Sequence, residues 1–88
     1  KDVYQTLDVM PWQAVLGGKI IVPTAGGRLQ VNLPANSQHG KSTRLKGKGI
    51  PAREPGDLYL NLRIAVPKAE SEADRAAWEA LAAHYAER

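Results

Sequence analysis

Residues 57–66 read Asp-Leu-Tyr-Leu-Asn-Leu-Arg-Ile-Ala-Val. Leu58, Leu60, Leu62 and Ile64 share one parity, and Tyr59, Asn61 and Arg63 the other. Successive side chains of a strand point to opposite faces, so this run is a strand with one apolar face. A helix would scatter the same leucines around its circumference. Gly56-Asp57 in front and Pro67 behind bound the run. The period recurs in Val3–Val9, whose inward set is Val3, Gln5, Leu7 and Val9, and in Arg28–Leu33, with Leu29, Val31 and Leu33 inward. Eighty-eight residues make one small domain, and these runs make it mainly β.

The segments between are equally legible. Lys19–Thr24 is a strand joined to Arg28–Leu33 by the turn Ala25-Gly26-Gly27, a hairpin. Pro34–Gly40 is a polar loop in which Asn36 tolerates the left-handed conformation. Ser42–Lys46 is a short strand ending in glycines, read as a strand end and bulge. Pro11–Leu16 opens with proline at a first helical position and stops at Gly17-Gly18, so it is a short helix. Its Trp12, Val15 and Leu16 stand at i, i+3, i+4 and are expected to plug one side of a sheet. Residues 71–87 form a second helix, with Ser71 as N-cap, Asp74 completing a capping box, acids in the first turn and Arg88 after the last. Trp78, Leu81 and Tyr85, flanked by Ala77 and Ala82, make one apolar stripe. A lone helix of this length is marginal in water, so the stripe needs cover from its own sheet or from another chain.

Several chemistries find no support. His39 and His84 lack a cysteine or HxxxH partner, no carboxylate pair is legible, and no hydroxyl sits in a nucleophile elbow, so neither metal nor catalysis is expected. Gly47-Lys48-Gly49 is not a phosphate loop, because Ile50-Pro51 follows where Ser/Thr and a helix should. There is no cysteine, which agrees with a reducing compartment. No apolar run nears the roughly 18 residues of a membrane span, and no signal-peptide pattern opens the chain, so a cytoplasmic location without membrane partners is expected. The chain begins inside a strand-like segment without Met, which reads as a fragment of a longer protein. Charge is uneven: residues 1–68 hold ten Lys/Arg and four Asp/Glu, a balance of +6, whereas residues 69–88 hold two and five, a balance of −3.

Two surfaces remain as binding candidates. Lys41, Arg44, Lys46, Lys48 and Arg53 place five cations together with no acid between 41 and 53. They suit a DNA backbone, with a nucleoid association to match, or equally a charged edge strand that resists aggregation. Leu29, Val31, Leu33 and Leu45 share an apolar face. They are core, unless part of that face stays open as a shallow groove for an extended peptide.

In this order, the segments Pro11-Trp12-Gln13-Ala14-Val15-Leu16-Gly17, Val22-Pro23-Thr24, Gly40, Arg44 to Gly49, Gly56-Asp57-Leu58-Tyr59 and Pro67 resemble the second C-terminal β-domain of DnaJ-family co-chaperones. The Trp78 helix resembles the curved-DNA-binding-protein (CbpA) branch, which lacks the zinc-binding module. Ala35-Asn36-Ser37-Gln38 stands where the family has Pro-Gly-Thr-Gln. The resemblance implies a small two-sheet β-sandwich with a short N-terminal helix and a C-terminal helix. It further implies that the β-domains hold unfolded clients, here a sandwich over 1–68, and that the extreme C-terminus dimerises the protein, here the helix over 69–88; the shared parity of Leu29, Val31, Leu33 and Leu45 puts them at any client groove, and the stripe of Trp78, Leu81 and Tyr85 at the dimer contact. Partners would be unfolded polypeptides, a second copy, and a DnaK-type chaperone reached through a J-domain. This chain carries neither the His-Pro-Asp triplet of a J-domain nor CxxCxGxG repeats. No cofactor follows from the resemblance.

Overall fold

The computed structural model describes residues 1–87. In chain order it forms β1 (Val3–Val9), α1 (Pro11–Leu16), β2 (Gly18–Thr24), β3 (Gly27–Leu33), β4 (Ser42–Leu45), β5 (Leu58–Ile64) and α2 (Glu72–Ala86). One sheet has the order β1-β5-β4; the other is the β2-β3 hairpin. β1 runs parallel to β5 in the register Val3↔Leu58 to Val9↔Ile64, and β4 is antiparallel to β5. β5 is therefore the only strand among the described residues with a neighbour on each side. That position explains the unbroken alternation of Leu58, Leu60 and Leu62, all buried.

The two sheets face each other through two contiguous clusters. Val22, Val31, Leu58 and Leu60 pack together, with Val3, Leu7, Ile20, Leu29 and Leu45 against them. Val9, Ala14, Leu33 and Leu62 form the second cluster. Each fully buried aliphatic side chain contributes roughly 1.5–3 kcal/mol, which is how a domain this small stays folded without cross-links. The expected inward parities of β1, β3 and β5 all hold. Gln5, the polar member of the inward set, sits half-buried and donates through Nε2 to the Pro23 carbonyl at 2.9 Å. It thereby ties the two sheets together along one side.

α1 departs from expectation. Only Ala14 is buried; Trp12, Val15 and Leu16 are exposed by 51%, 49% and 76%. The reason lies in the backbone of the following loop. Asn36 N–H donates to the Val15 carbonyl (2.9 Å) and Ser37 N–H to that of Ala14 (2.8 Å). These bonds press the loop against the helix face that carries the smallest residue and turn the large side chains outward. Gly17 makes the approach possible. It sits at φ 71°, and a Cβ there would lie 2.6 Å from the Leu33 carbonyl oxygen.

The Arg44–Gly49 block also departs from the bulge reading. Gly47 turns the chain at φ 74° after β4, and Gly49 is a buried loop residue whose N–H donates to the Gly56 carbonyl at 3.0 Å.

α2 stands away from the sandwich. Its N-terminus is built as read: Ser71 Oγ accepts from Asp74 N–H at 3.0 Å, and Asp74 Oδ2 accepts from Ser71 N–H at 3.3 Å. No residue of α2 is buried. Only Trp78 is half-buried, its ring 6.3 Å from that of Trp12. The radius of gyration is 16.4 Å, against about 12 Å for a compact chain of this length. Arg88, expected to complement the helix dipole, lies outside the described residues.

Candidate functional site

Three surfaces gather the residues singled out from the sequence. The first is the side of the sandwich where β3 and β4 each present an unpaired edge. A narrow cleft of about 30 Å³ opens there, lined by Leu7, Val31, Leu33, Leu60 and Leu62 inside and by Asn32, Lys41 and Thr43 at the rim. Of the four aliphatic candidates, Val31 and Leu33 are buried and line this cleft. Leu29 and Leu45 are half-buried, packed against the cluster of Val22, Val31, Leu58 and Leu60. The opposite side of the sandwich is less inviting to an added strand. Pro23 on β2 has no N–H to offer, and its carbonyl is already taken by Gln5.

The second surface is basic. Lys41, Arg44, Lys46, Lys48 and Arg53 are all exposed, along edge strand β4 and the loop that follows it. They do not behave alike. Arg44 Nε donates to Asp57 Oδ2 at 2.6 Å, so its charge is engaged. Among the described residues, Lys41, Lys46, Lys48 and Arg53 hold no salt bridge.

Asp57 is the residue the sequence did not single out. Its Oδ1 accepts from Gly47 N–H at 2.8 Å, its own N–H donates to Asp2 Oδ1 at 2.7 Å, and its carbonyl accepts from Val3 N–H at 2.8 Å. One residue thus fastens the turn after β4, through its carboxylate, to the start of β5 and, through its backbone, to the entering chain. The Gly47 N–H first, and then Arg44, hold its carboxyl below the usual carboxylate range. The Gly-Asp pair was legible as a turn; that its carboxylate closes a loop ten residues back was not.

The third surface is apolar and lies between the helices. Pro11, Trp12, Val15 and Leu16 of α1 and Trp78, Leu81 and Tyr85 of α2 line a trough of about 450 Å³. The three stripe residues therefore do share a face, and α1 contributes to it residues expected in the core. On the outer face of the three-stranded sheet, Tyr4 and Tyr59 stack at 4.9 Å, and Arg63 makes a bidentate pair with Asp8 at 2.6 and 2.7 Å. Both pairs follow from the parallel register of β1 and β5, which periodicity alone does not reveal. Among the described residues no group of three or more His, Cys, Asp or Glu side chains comes together, and no helix is long and apolar enough to cross a membrane.

Comparison with known proteins agrees with this architecture. The family described as the DnaJ C terminal domain matches residues 1–67. The Curved DNA-binding protein of Coxiella burnetii (strain RSA 493) is 42% identical over 82 residues, covering 93% of this chain and 26% of that protein. That of Pseudomonas syringae pv. tomato is 43% identical over 83 residues, covering 92% and 26%. Chaperone protein DnaJ 2 of Thermus thermophilus is 43% identical over 86 residues, covering 97% and 31%. The chain spans only about a quarter to a third of the length of these relatives. With a mainly β, two-sheet fold and a family match over most of its length, the chain belongs to the DnaJ C-terminal domain family.

Proposed function

We propose that this chain is the client-holding and self-associating part of a J-domain co-chaperone, and that it is not an enzyme. In the longer protein, clients held here would be delivered to a DnaK-type chaperone by a J-domain carried elsewhere. The observation that carries the reading is the cleft beside β3 and β4, where a narrow opening between two free strand edges leads down to core aliphatics. An extended polypeptide seated there would bond to a free edge and lay alternate side chains over Val31 and Leu33. Such recognition follows backbone shape and aliphatic character, which suits unfolded chains of varied sequence. α2 extends the module through Trp78, Leu81 and Tyr85, whose exposed stripe fits a second copy.

The test is binding of a permanently unfolded, aliphatic-rich polypeptide, followed by fluorescence anisotropy. Val31→Asp should abolish binding, although a carboxylate buried without a partner also threatens the fold. Thr43→Glu is the cleaner variant. It sits exposed at the cleft rim, so the circular dichroism spectrum should be unchanged while affinity falls at least fivefold. Normal binding by folded Thr43→Glu and folded Val31→Asp places the groove elsewhere.

A second reading has its own support. Two of the relatives above are named for binding curved DNA, and, among the described residues, four cations near β4 hold no salt bridge. DNA contact through Lys41, Lys46, Lys48 and Arg53 would be to phosphates and without base preference, since no helix or aromatic accompanies them. Affinity would then fall by roughly a decade or more between 50 and 200 mM salt, whereas aliphatic client binding would hardly change.

A further inference from the structure

We propose that His39 is a pH-sensitive latch on the loop that borders the cleft: neutral, it ties the loop to β5; protonated, it lets go. The latch stands on the geometry of the loop alone, and only its effect on clients rests on the client-holding reading above. Three observations carry it. The first is the ladder. Gly40 N–H donates to the Leu62 carbonyl and Leu62 N–H to the Lys41 carbonyl, each at 2.8 Å. Two residues thus face one, a bulge with Gly40 in the left-handed region at φ 86°. The chain turns away there, so the next rung on β5 meets no backbone carbonyl. Ile64 N–H donates instead to His39 Nδ1 at 3.1 Å. The imidazole stands in for a main-chain acceptor.

The second is the proton inventory. An amide N–H can only donate, so Nδ1 is bare and the neutral ring carries its proton on Nε2. Protonation puts a hydrogen on Nδ1 and sets donor against donor, which removes the bond. His39 is exposed, so the proton arrives from solvent without any opening of the fold. Histidine side chains in general make this change near pH 6.5. The surrounding elements offer little to hold an imidazolium in place. α1, on which the loop rests, has no charged residue. The segment of His39 brings Lys41, the chain after β5 brings Lys68, and β5 brings Arg63, already paired with Asp8 of β1.

The third is position. Pro34, Ser37 and Lys41 line the cleft. The front of the loop is fixed to α1 through the Asn36 and Ser37 N–H groups, and its end to β5 through Gly40. Between them, Gln38 bonds only to Asn36 and Lys41, within the loop, among the described residues. His39 therefore supplies the tie that holds this middle stretch to β5. Its release loosens the cleft wall between Ser37 and Lys41.

The test uses substitutions at one exposed position. His39→Asn places an amide oxygen close to where Nδ1 stands, an acceptor that does not titrate; His39→Ala removes the acceptor. Solvent exchange of the Ile64 amide is followed by NMR at pH 7.5 and 5.5, each rate taken relative to its intrinsic value. Both conditions lie above the range where aspartates titrate. In the unmutated chain, protection of Ile64 should fall at least threefold at pH 5.5. The Asn variant should stay protected at both pH values, and the Ala variant should be unprotected at both. Protection that ignores pH in the unmutated chain, or that survives in the Ala variant, overturns the latch. So does a neutral ring whose 15N shifts put the proton on Nδ1. Anisotropy with an unfolded, aliphatic-rich polypeptide supplies the second arm. Affinity should fall at least threefold from pH 7.5 to 5.5 in the unmutated chain and stay level in the Asn variant. An equal fall in both means that the latch does not reach the cleft. If the unmutated chain binds no polypeptide at either pH, the client-holding reading fails, and the Ile64 amide still decides the latch.

Discussion

Asp57 gathers the start of β5, the turn after β4 and the entering chain around one residue. Its carboxyl is depressed chiefly by the Gly47 N–H and next by Arg44. The sign follows from linkage: a carboxylate whose pKa is lower folded than unfolded adds stability above its unfolded value, and that stability is lost as pH falls through the folded value. Asp8, held down by Arg63, and Asp74, held down by the Glu70 and Ser71 groups, act in the same direction. Stability should therefore be flat at neutral pH and decline below about pH 4. Asp57→Asn should lower the urea midpoint at pH 7 and flatten that acid limb; an acid limb as steep as the unmutated chain's would sink the assignment. Gly49 is a different kind of residue. Its φ is unexceptional, but a Cβ would run into the Lys1 carbonyl oxygen and the Gly56–Asp57 backbone. None of these atoms belongs to a movable side chain, so Gly49→Ala should cost about 1–3 kcal/mol of stability, read from chemical denaturation. A neutral effect would mean that the loop is not clamped as described. The exposed Asp8–Arg63 pair, in contrast, should be worth little when cut.

Each secondary element has its own source of stability. β5 is held on both flanks and buries three leucines. α2 buries nothing and depends on its cap, its alanines and the Trp12–Trp78 contact. Ser71→Ala removes the side-chain acceptor for Asp74 N–H, a loss of about 0.5–2 kcal/mol in helices generally. Because α2 shares no core with the sandwich, that loss should stay local. Amide-exchange protection across 72–86 should fall several-fold while β5 protection is unchanged. Equal losses in both would mean that helix and sandwich unfold as one unit. Edge strands carry a different burden. β4 is short and lined by exposed Arg44, with Lys46 following, and β2 carries Pro23. Both are ordinary defences against unwanted strand pairing. The β3 edge has no proline, which is consistent with its place beside the proposed groove.

At the scale of the molecule, the basic sandwich and the acidic helix are separate in space as well as in charge. The DNA reading can be tested without disturbing the fold only if Arg44 is left alone, since removing it frees Asp57. Replacing Lys41, Lys46, Lys48 and Arg53 with Gln should leave the urea midpoint within about 0.5 kcal/mol of the original. It should weaken any DNA binding uniformly across sequences and lower the salt slope. A variant that loses preference for one sequence and keeps its general affinity would show base reading and contradict the phosphate-only account. The same variant should hold unfolded polypeptide as well as the unmutated chain does, because the cleft aliphatics are untouched.

Strand and helix positions were legible to within two residues, because period-two alternation, proline and glycine are local signals. The inward parity of Leu29, Val31 and Leu33, the capping box of Ser71 and Asp74, and the positive φ of Asn36 are likewise local properties of their own segments. Pairing is not local. The parallel union of β1 with β5 joins residues 55 apart in the chain, and nothing in either run names the other. The Tyr4–Tyr59 stack and the Asp8–Arg63 pair are consequences of that register. The orientation of α1 is not a local property either. Spacing identifies an amphipathic helix but not which side its neighbour presses, and here the loop backbone at Asn36 and Ser37 docked on Ala14 and left Trp12, Val15 and Leu16 outside. Sequence periodicity thus determined the elements and their apolar faces. Only the tertiary structure decided which faces meet, since that depends on distant backbone groups finding hydrogen-bond partners while the aliphatic side chains leave water.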